Sequence, residues 1–145
     1  MRLIRFQIQK GDQIVFGILE RGVVYQLMGS PMDNPEKGFV IGELEKVKLV
    51  SPCQPGKIVA VAINFPGIGG YYREMTEPLV FVKPASCVAN PGDTIKNPFP
   101  TLPWWGEAEL GVVIKRRLRN ATDKEVQNGI LGFTIGNDVT VENVE

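Results

Sequence analysis

Apolar and polar residues alternate through most of the first fifty positions, and a period of two marks half-buried strands. "LIRFQIQ" (residues 3–9) and "IVFGILE" (14–20) flank Lys10-Gly11-Asp12, which predicts a hairpin. "VVYQLM" (23–28) follows Arg21-Gly22 as the next strand. "GSPMDNPEKG" (29–38) reads as loop, because Gly, Pro, Asn and Asp break regular structure. "VIGELEKVKLVSP" (40–52) alternates Leu44, Val47 and Leu49 with charges and stops at Pro52. The prolines and glycine of "SPCQPGK" (51–57) then predict a domain boundary, with a small β-rich domain over residues 1–54 and a second over 55–145.

Past Lys57 the pattern changes. "KIVAVAIN" (57–64) is a continuous apolar run, which predicts a strand buried on both faces. "PLVFVKP" (78–84) is another strand, whereas "NPGDTIKNP" (90–98) and "PFPTLP" (98–103) are proline-rich loops. "GEAELGVVIK" (106–115) is a strong strand whose Ala108, Leu110, Val112 and Ile114 form a candidate core stripe. "NATDKEVQNGI" (120–130) carries the clear helix signal. Thr122 and Glu125 stand three apart as a capping box, and Gly129 suits the C-terminal stop. "ILGFTIGNDVTV" (130–141) predicts one long closing strand. The fold class is mainly β with little helix, an α+β chain. The sequence stops directly after a strand, so the second domain is expected to be incomplete.

Sixteen basic residues balance sixteen acidic ones, which argues against a nucleic-acid footprint. The basic cluster "KRRLRN" (115–120) follows a strand and reads as its solvated end. Cys53 and Cys87 stand far apart in no paired motif, which argues against a disulfide scaffold and a cysteine zinc site. The N-terminus lacks the apolar centre of a signal peptide, and no apolar run has the length to cross a bilayer. A soluble protein in a reducing compartment, the cytoplasm, is expected. The chain has no histidine, which removes Ser-His-Asp and Cys-His nucleophile systems. Any metal must then be held by oxygen, which favours magnesium, manganese or calcium.

Within those limits a few residues carry candidate chemistry. Glu107 and Glu109 lie two apart on a strand, so both carboxylates share a face. They are either a wet outer face or half of a metal site. Asp138 sits in an apolar strand, where an unpartnered carboxylate is costly, but Asn137-Asp138 also resembles a turn. Lys83 is either a strand-end charge in water or a contact for an oxyanion or carboxylate. "INFPGIGGYY" (63–72) invites a dinucleotide reading through Gly67, Gly69 and Gly70, but Tyr72 replaces the third glycine. The following "YYREMTE" is too short for the crossover helix, so a loop over a site is the better reading.

At these residues the chain resembles the fumarylacetoacetate hydrolase family. The resemblance runs from "MRLIRFQIQKGDQIVFGILERGVVYQL", similar to the family's small N-terminal domain, through "EPLVFVKPASCVANPGDTI". Its most specific part is "GEAELGVVIKRRLRNATDKEVQNGILGFTIGNDVT". It implies the family's mixed β-sandwich or roll as catalytic domain and a homodimer. It also implies a divalent cation, usually magnesium and sometimes manganese or calcium, held by Glu107, Glu109 and Asp138. Implied substrates are 2-oxo and β-diketo acids, converted through an enolate that the metal stabilises. Two departures shape the expected reaction. The family's water-activating His is absent, with Ile68 or Tyr71 at its position, and Glu74 matches the neighbouring Glu as acid/base. Glu142 stands in the register of a substrate-binding Arg. Isomerisation, decarboxylation or dehydration then fits better than C–C hydrolysis. The competing expectation is a degenerate or truncated member that keeps the scaffold, and perhaps the metal, without catalysis.

Overall fold

The structure, a computed structural model, describes residues 1–8, 12–67 and 76–142. Its strands are β1 (Arg2–Gln7), β2 (Ile14–Glu20), β3 (Val23–Met28), β4 (Glu36–Glu43) and β5 (Lys48–Val50), then β6 (Lys57–Ala62) and β7 (Leu79–Pro84). β8 (Trp104–Trp105), β9 (Ala108–Ile114), β10 (Ile130–Asn137) and β11 (Thr140–Val141) complete them, with helix α1 (Asp123–Gly129) before β10. A mainly β chain with little helix is what the pattern predicts. Two compact units result, Met1–Pro52 with Asn90–Glu145, and Cys53–Ala89.

β1 to β5 form one antiparallel sheet in the order β4-β3-β2-β1-β5. β2 and β3 meet through Arg21-Gly22, whose φ angles of 50° and 81° make the two-residue turn that matches strand twist. Lys10 and Gly11 of the first predicted turn lie outside the described residues, but every residue of β1 pairs with β2, from Arg2 with Leu19 to Gln7 with Ile14. Alternation then sorts the faces. Ile4, Phe6 and Val24 form a buried cluster, with Val15, Leu19, Leu44, Val47 and Leu49 packed against it. Leu44 and Val47 reach it because "VIGELEKVKLV" is not one strand: a single 3-10 turn over Leu44–Lys46 separates β4 from β5. Phe6 is 1% exposed, and its ring lies over Gly17, where a Cβ would stand 2.7 Å from the ring. On the other face Arg5 stacks 5.5 Å from the centroid of its cross-strand neighbour Phe16, and donates to the carbonyl of Ser51 at 3.1 Å.

Ser51 also donates its N–H to Asn90 Oδ1 at 3.0 Å. This ties the end of β5 to the turn Asn90-Pro91-Gly92-Asp93. There Asp93 N–H returns to the Asn90 carbonyl at 3.0 Å, and Gly92 takes the positive φ of 84° that a type II turn requires. The Asn90 N–H, donating to Asp93 at 2.8 Å, holds that carboxyl below its ordinary range, with help from the Asn90 amide.

The second unit pairs β6 with β7 in an unbroken antiparallel register. β6 alternates exposed and half-buried residues and is not buried on both faces as its apolar run predicts. Only β7 neighbours it among the described residues, so Val59 and Val61 remain 58% and 41% exposed.

β9 and β10 pair antiparallel after a bulge at Leu131. The predicted core stripe is likewise open to water, with Leu110 71% and Ile135 85% exposed. Burial needs a second layer, and no described residue supplies one on that face. The helix matches its sequence signal. Thr122 and Glu125 form the reciprocal capping box, with Thr122 N–H donating to Glu125 Oε2 at 2.8 Å. Gly129 does end α1, without the left-handed φ of a glycine cap, and a Cβ there would lie 2.9 Å from Leu118 Cδ1. No helix among the described residues is long and apolar enough to cross a membrane.

Two outcomes are expected. Gly17→Ala forces a methyl against Phe6 and the Tyr25 carbonyl, and should cost about 1–3 kcal/mol. Phe6→Ala should cost about 3–5 kcal/mol by leaving a cavity. Urea melts of full-length protein check both, and a Gly17→Ala midpoint equal to wild type would contradict the packing. The capping box is also pH-dependent, because the Thr122 N–H and hydroxyl hold the Glu125 carboxyl below its ordinary value of 4.5. A carboxyl lowered on folding stabilises the helix above pH 4.5, and that contribution disappears as pH falls through the lowered value. The Thr122 amide should therefore lose its hydrogen-exchange protection in acid, and Glu125→Gln should blunt the pH dependence.

Candidate functional site

Each carboxylate of interest is placed by backbone pairing. Glu107 and Asp138 lie just outside β9 and β10 but exchange both main-chain bonds, Glu107 N–H to Asp138 O at 3.2 Å and the reverse at 2.9 Å. Residues paired this way stand directly opposite on one face of a ladder. Glu109 pairs with Gly136 in the same register, and two residues further along Gly111 pairs with Thr134. In the other direction Trp105 pairs with Thr140, and Glu142 N–H reaches the Pro103 carbonyl at 2.9 Å. The predicted long strand is therefore interrupted at Asp138-Val139, but its register carries through into β11. One face of this ribbon presents Trp105, Glu107 and Glu109 beside Thr140, Asp138 and Gly136.

Those three carboxylates share a face that is half-covered, whereas Ala108, Leu110, Val112 and Ile114 opposite are exposed. The acidic side is therefore the more sheltered one, the reverse of a wet outer face. Like charges directly across a ladder repel, so Glu107 beside Asp138 requires compensation. The Glu107 carboxylate receives the Trp105 indole N–H at 2.9 Å and the Thr140 hydroxyl at 3.1 Å, both on Oε1. Sequence reasoning misses both of these partners. The only sequence signal for Trp105 is its spacing of two from Glu107.

The donor set is chemically suited to a hard divalent cation, since it offers carboxylate oxygens alone. There is also room beside Glu109: a Cβ added at Gly136 would meet nothing within 4 Å. Gly111, by contrast, is covered by the Thr134 methyl, which would lie 2.8 Å from a Cβ added there. Among the described residues no three His, Cys, Asp or Glu side chains already converge as a metal cage. The backbone thus assembles the three acids on one face without gathering their carboxylates at one point.

Lys83 lies on β7 opposite Ile58, half-buried, in the second unit. Glu74, with Ile68 and Tyr71, lies outside the described residues. Ile63, which follows β6 and precedes Asn64-Phe65, has a φ of 51°. That left-handed conformation is strained for a β-branched residue, and such strain concentrates at functional sites.

Residues 57–145 match the fumarylacetoacetate (FAA) hydrolase C-terminal family model, and residues 1–52 match an Rv2993c-like N-terminal model. The chain belongs to the fumarylacetoacetate hydrolase family. Protein Rv2993c of Mycobacterium tuberculosis is 33% identical over 104 residues, covering 69% of this chain and 38% of that relative. The mitochondrial oxaloacetate tautomerase FAHD2 of Arabidopsis thaliana is 31% identical over 97 residues, covering 63% and 42%. The solved 5-carboxymethyl-2-hydroxymuconate delta-isomerase of Mycobacterium smegmatis superposes with a TM-score of 0.71 at 28% identity, over 96% of this chain and 55% of that one. The chain therefore spans about half the length of the solved family structure and less than half that of the curated relatives it matches.

Within this family fold, Gly136 separates site effects from folding effects. Gly136→Ala fills open space at an ordinary backbone conformation and should leave stability within about 0.5 kcal/mol. Its methyl projects beside Glu109, so divalent-cation or substrate binding should weaken while the melting curve stays fixed. Calorimetric titration checks this, and unaltered binding would remove Gly136 from the site.

Proposed function

We propose that this chain carries the metal-binding part of a fumarylacetoacetate hydrolase family enzyme that acts on a 2-oxo or β-diketo acid. The supporting observation is the cross-strand placement of Glu107, Glu109 and Asp138 on one sheltered face. Magnesium is the proposed ion, with manganese or calcium as substitutes. When bound, such an ion stabilises negative charge on the adjacent oxygens of a chelating substrate. The protein's own part is to hold three carboxylates at fixed positions and to leave the space beside Gly136 open.

The reaction class follows from what the chain lacks. Without histidine, its residues 1–145 offer no imidazole to activate water. Proton relocation within a substrate needs only a modest acid/base. Related proteins include an oxaloacetate tautomerase and a muconate isomerase, whose names describe that class of change. Isomerisation or tautomerisation is therefore preferred to decarboxylation, dehydration or C–C hydrolysis. Glu74 is proposed as the acid/base and Lys83 as a substrate contact. Assignment of residues 1–54 to a small N-terminal domain, a homodimer and a cytoplasmic location complete the proposal.

Manganese titration of the full-length protein, followed by electron paramagnetic resonance, tests the ligand set. Glu107→Gln, Glu109→Gln and Asp138→Asn should each weaken binding by at least about 100-fold, the upper end of what losing an outer-sphere partner costs. Unchanged affinity in all three would reject the assignment. Turnover is read separately, with oxaloacetate assayed for enol–keto exchange and an acylpyruvate for cleavage. Metal binding without either activity would favour a non-catalytic family member, and cleavage would overturn the isomerase reading.

A further inference from the structure

Resting on the metal-site reading above, we infer that Trp105 and Thr140 form a two-donor clamp that makes Glu107 a one-oxygen ligand, presenting Oε2 alone. Each carboxylate oxygen has two lone pairs suited to accepting hydrogen bonds. Oε1 of Glu107 accepts the Trp105 Nε1–H at 2.9 Å and the Thr140 Oγ1–H at 3.1 Å, which uses both. Oε2 then remains for a cation.

The clamp is built by the ladder itself. Trp105 and Thr140 are direct partners in the β8–β11 pairing, one step beyond the Glu107–Asp138 pair. The indole comes from two residues earlier on the same strand. The hydroxyl comes from the diagonal position on the opposite one, 33 residues away in sequence. Two donors from two strands fix the carboxylate in both position and rotation, which one donor could not do. The Asp138 carbonyl, 3.4 Å from the same hydroxyl, is the more distant acceptor for its single proton, so the 3.1 Å contact to Glu107 is the shorter of the two. Both donors are neutral, so they orient Glu107 without cancelling its charge. Trp105 and Thr140 are thus positioning residues: they act through Glu107 and are not themselves ligands.

The test uses full-length protein and manganese as the probe. Thr140→Val removes the hydroxyl at nearly constant shape, and Thr140→Ser restores it. Trp105→Phe keeps an aromatic ring but deletes the N–H. Thr140→Val and Trp105→Phe should each weaken manganese binding about 10-fold or more, with Thr140→Ser close to wild type. In a Glu107→Gln background, Thr140→Val should add nothing further, because the group it positions has already lost its charge. Melting temperatures without metal are read for Thr140→Ser and Thr140→Val alongside binding, and a loss of affinity with the protein still folded at the titration temperature separates positioning from folding. If Glu107→Gln weakens binding but Thr140→Val and Trp105→Phe do not, the clamp is wrong and the ligand assignment stands. If Glu107→Gln has no effect, the ligand assignment fails and takes the clamp with it. Equal losses in Thr140→Ser and Thr140→Val would overturn the hydroxyl's role.

Discussion

The reciprocal backbone pair between Glu107 and Asp138 is the constraint on which the candidate site depends. It keeps β8–β11 in the register of β9–β10 across the interruption at Val139, so residues of one parity stay on one face. A slip of one residue would send Asp138 to the opposite face, away from both glutamates. The three acids, the open space at Gly136 and the two donors on Glu107 all inherit their positions from this one register. The local chemistry is therefore a consequence of strand pairing, not of a shaped loop.

Burial is distributed very unevenly around that ribbon. The buried hydrophobic residues Ile4, Phe6, Ile18, Val24 and Val50 all belong to the N-terminal sheet. There, five strands share neighbours and the segment from Leu44 to Val47 closes one face. β9 and β10 have each other alone as strand partners among the described residues, and their apolar side chains on one face remain in water. The described residues thus contain a sheet with its own buried cluster and a hydrogen-bonded ribbon whose apolar face is open to water.

This division explains what can be read from sequence. Local signals are legible: the capping box of Thr122 and Glu125, the β1–β2 and β2–β3 pairings, and the shared parity of Glu107 and Glu109 all depend on nearby residues. Faces are harder. Periodicity places the stripe from Ala108 to Ile114 in the core and "KIVAVAIN" in a strand covered on both sides. It reports which side chains match, not whether a layer arrives to cover them. Gly129 ends the helix as its position suggests, and its closeness to the Leu118 side chain is a tertiary fact the sequence does not carry. The role of Thr140 is invisible for the same reason: nothing in its immediate sequence announces a bond to a carboxylate 33 residues upstream. The family resemblance, by contrast, connects Glu107, Glu109 and Asp138 without any knowledge of strand pairing.

The nature of the donors on Glu107 bears on what the site is for. A lysine or arginine bonded to Glu107 itself would have offset that carboxylate's charge and occupied its oxygens. Indole and hydroxyl groups stabilise an anion through hydrogen bonds while leaving its net charge intact. An ordinary structural ion pair in this chain, such as Lys37 with Glu20 at 2.6 Å, does the opposite: each partner consumes the other's charge. It also holds the Glu20 carboxyl below its usual value, with Lys37 as the cause. For a surface whose purpose is stability alone, the ion pair is the simpler solution. Neutral donors make physical sense where the negative charge must be fixed in place and kept available, which is the condition a divalent cation imposes on its ligands.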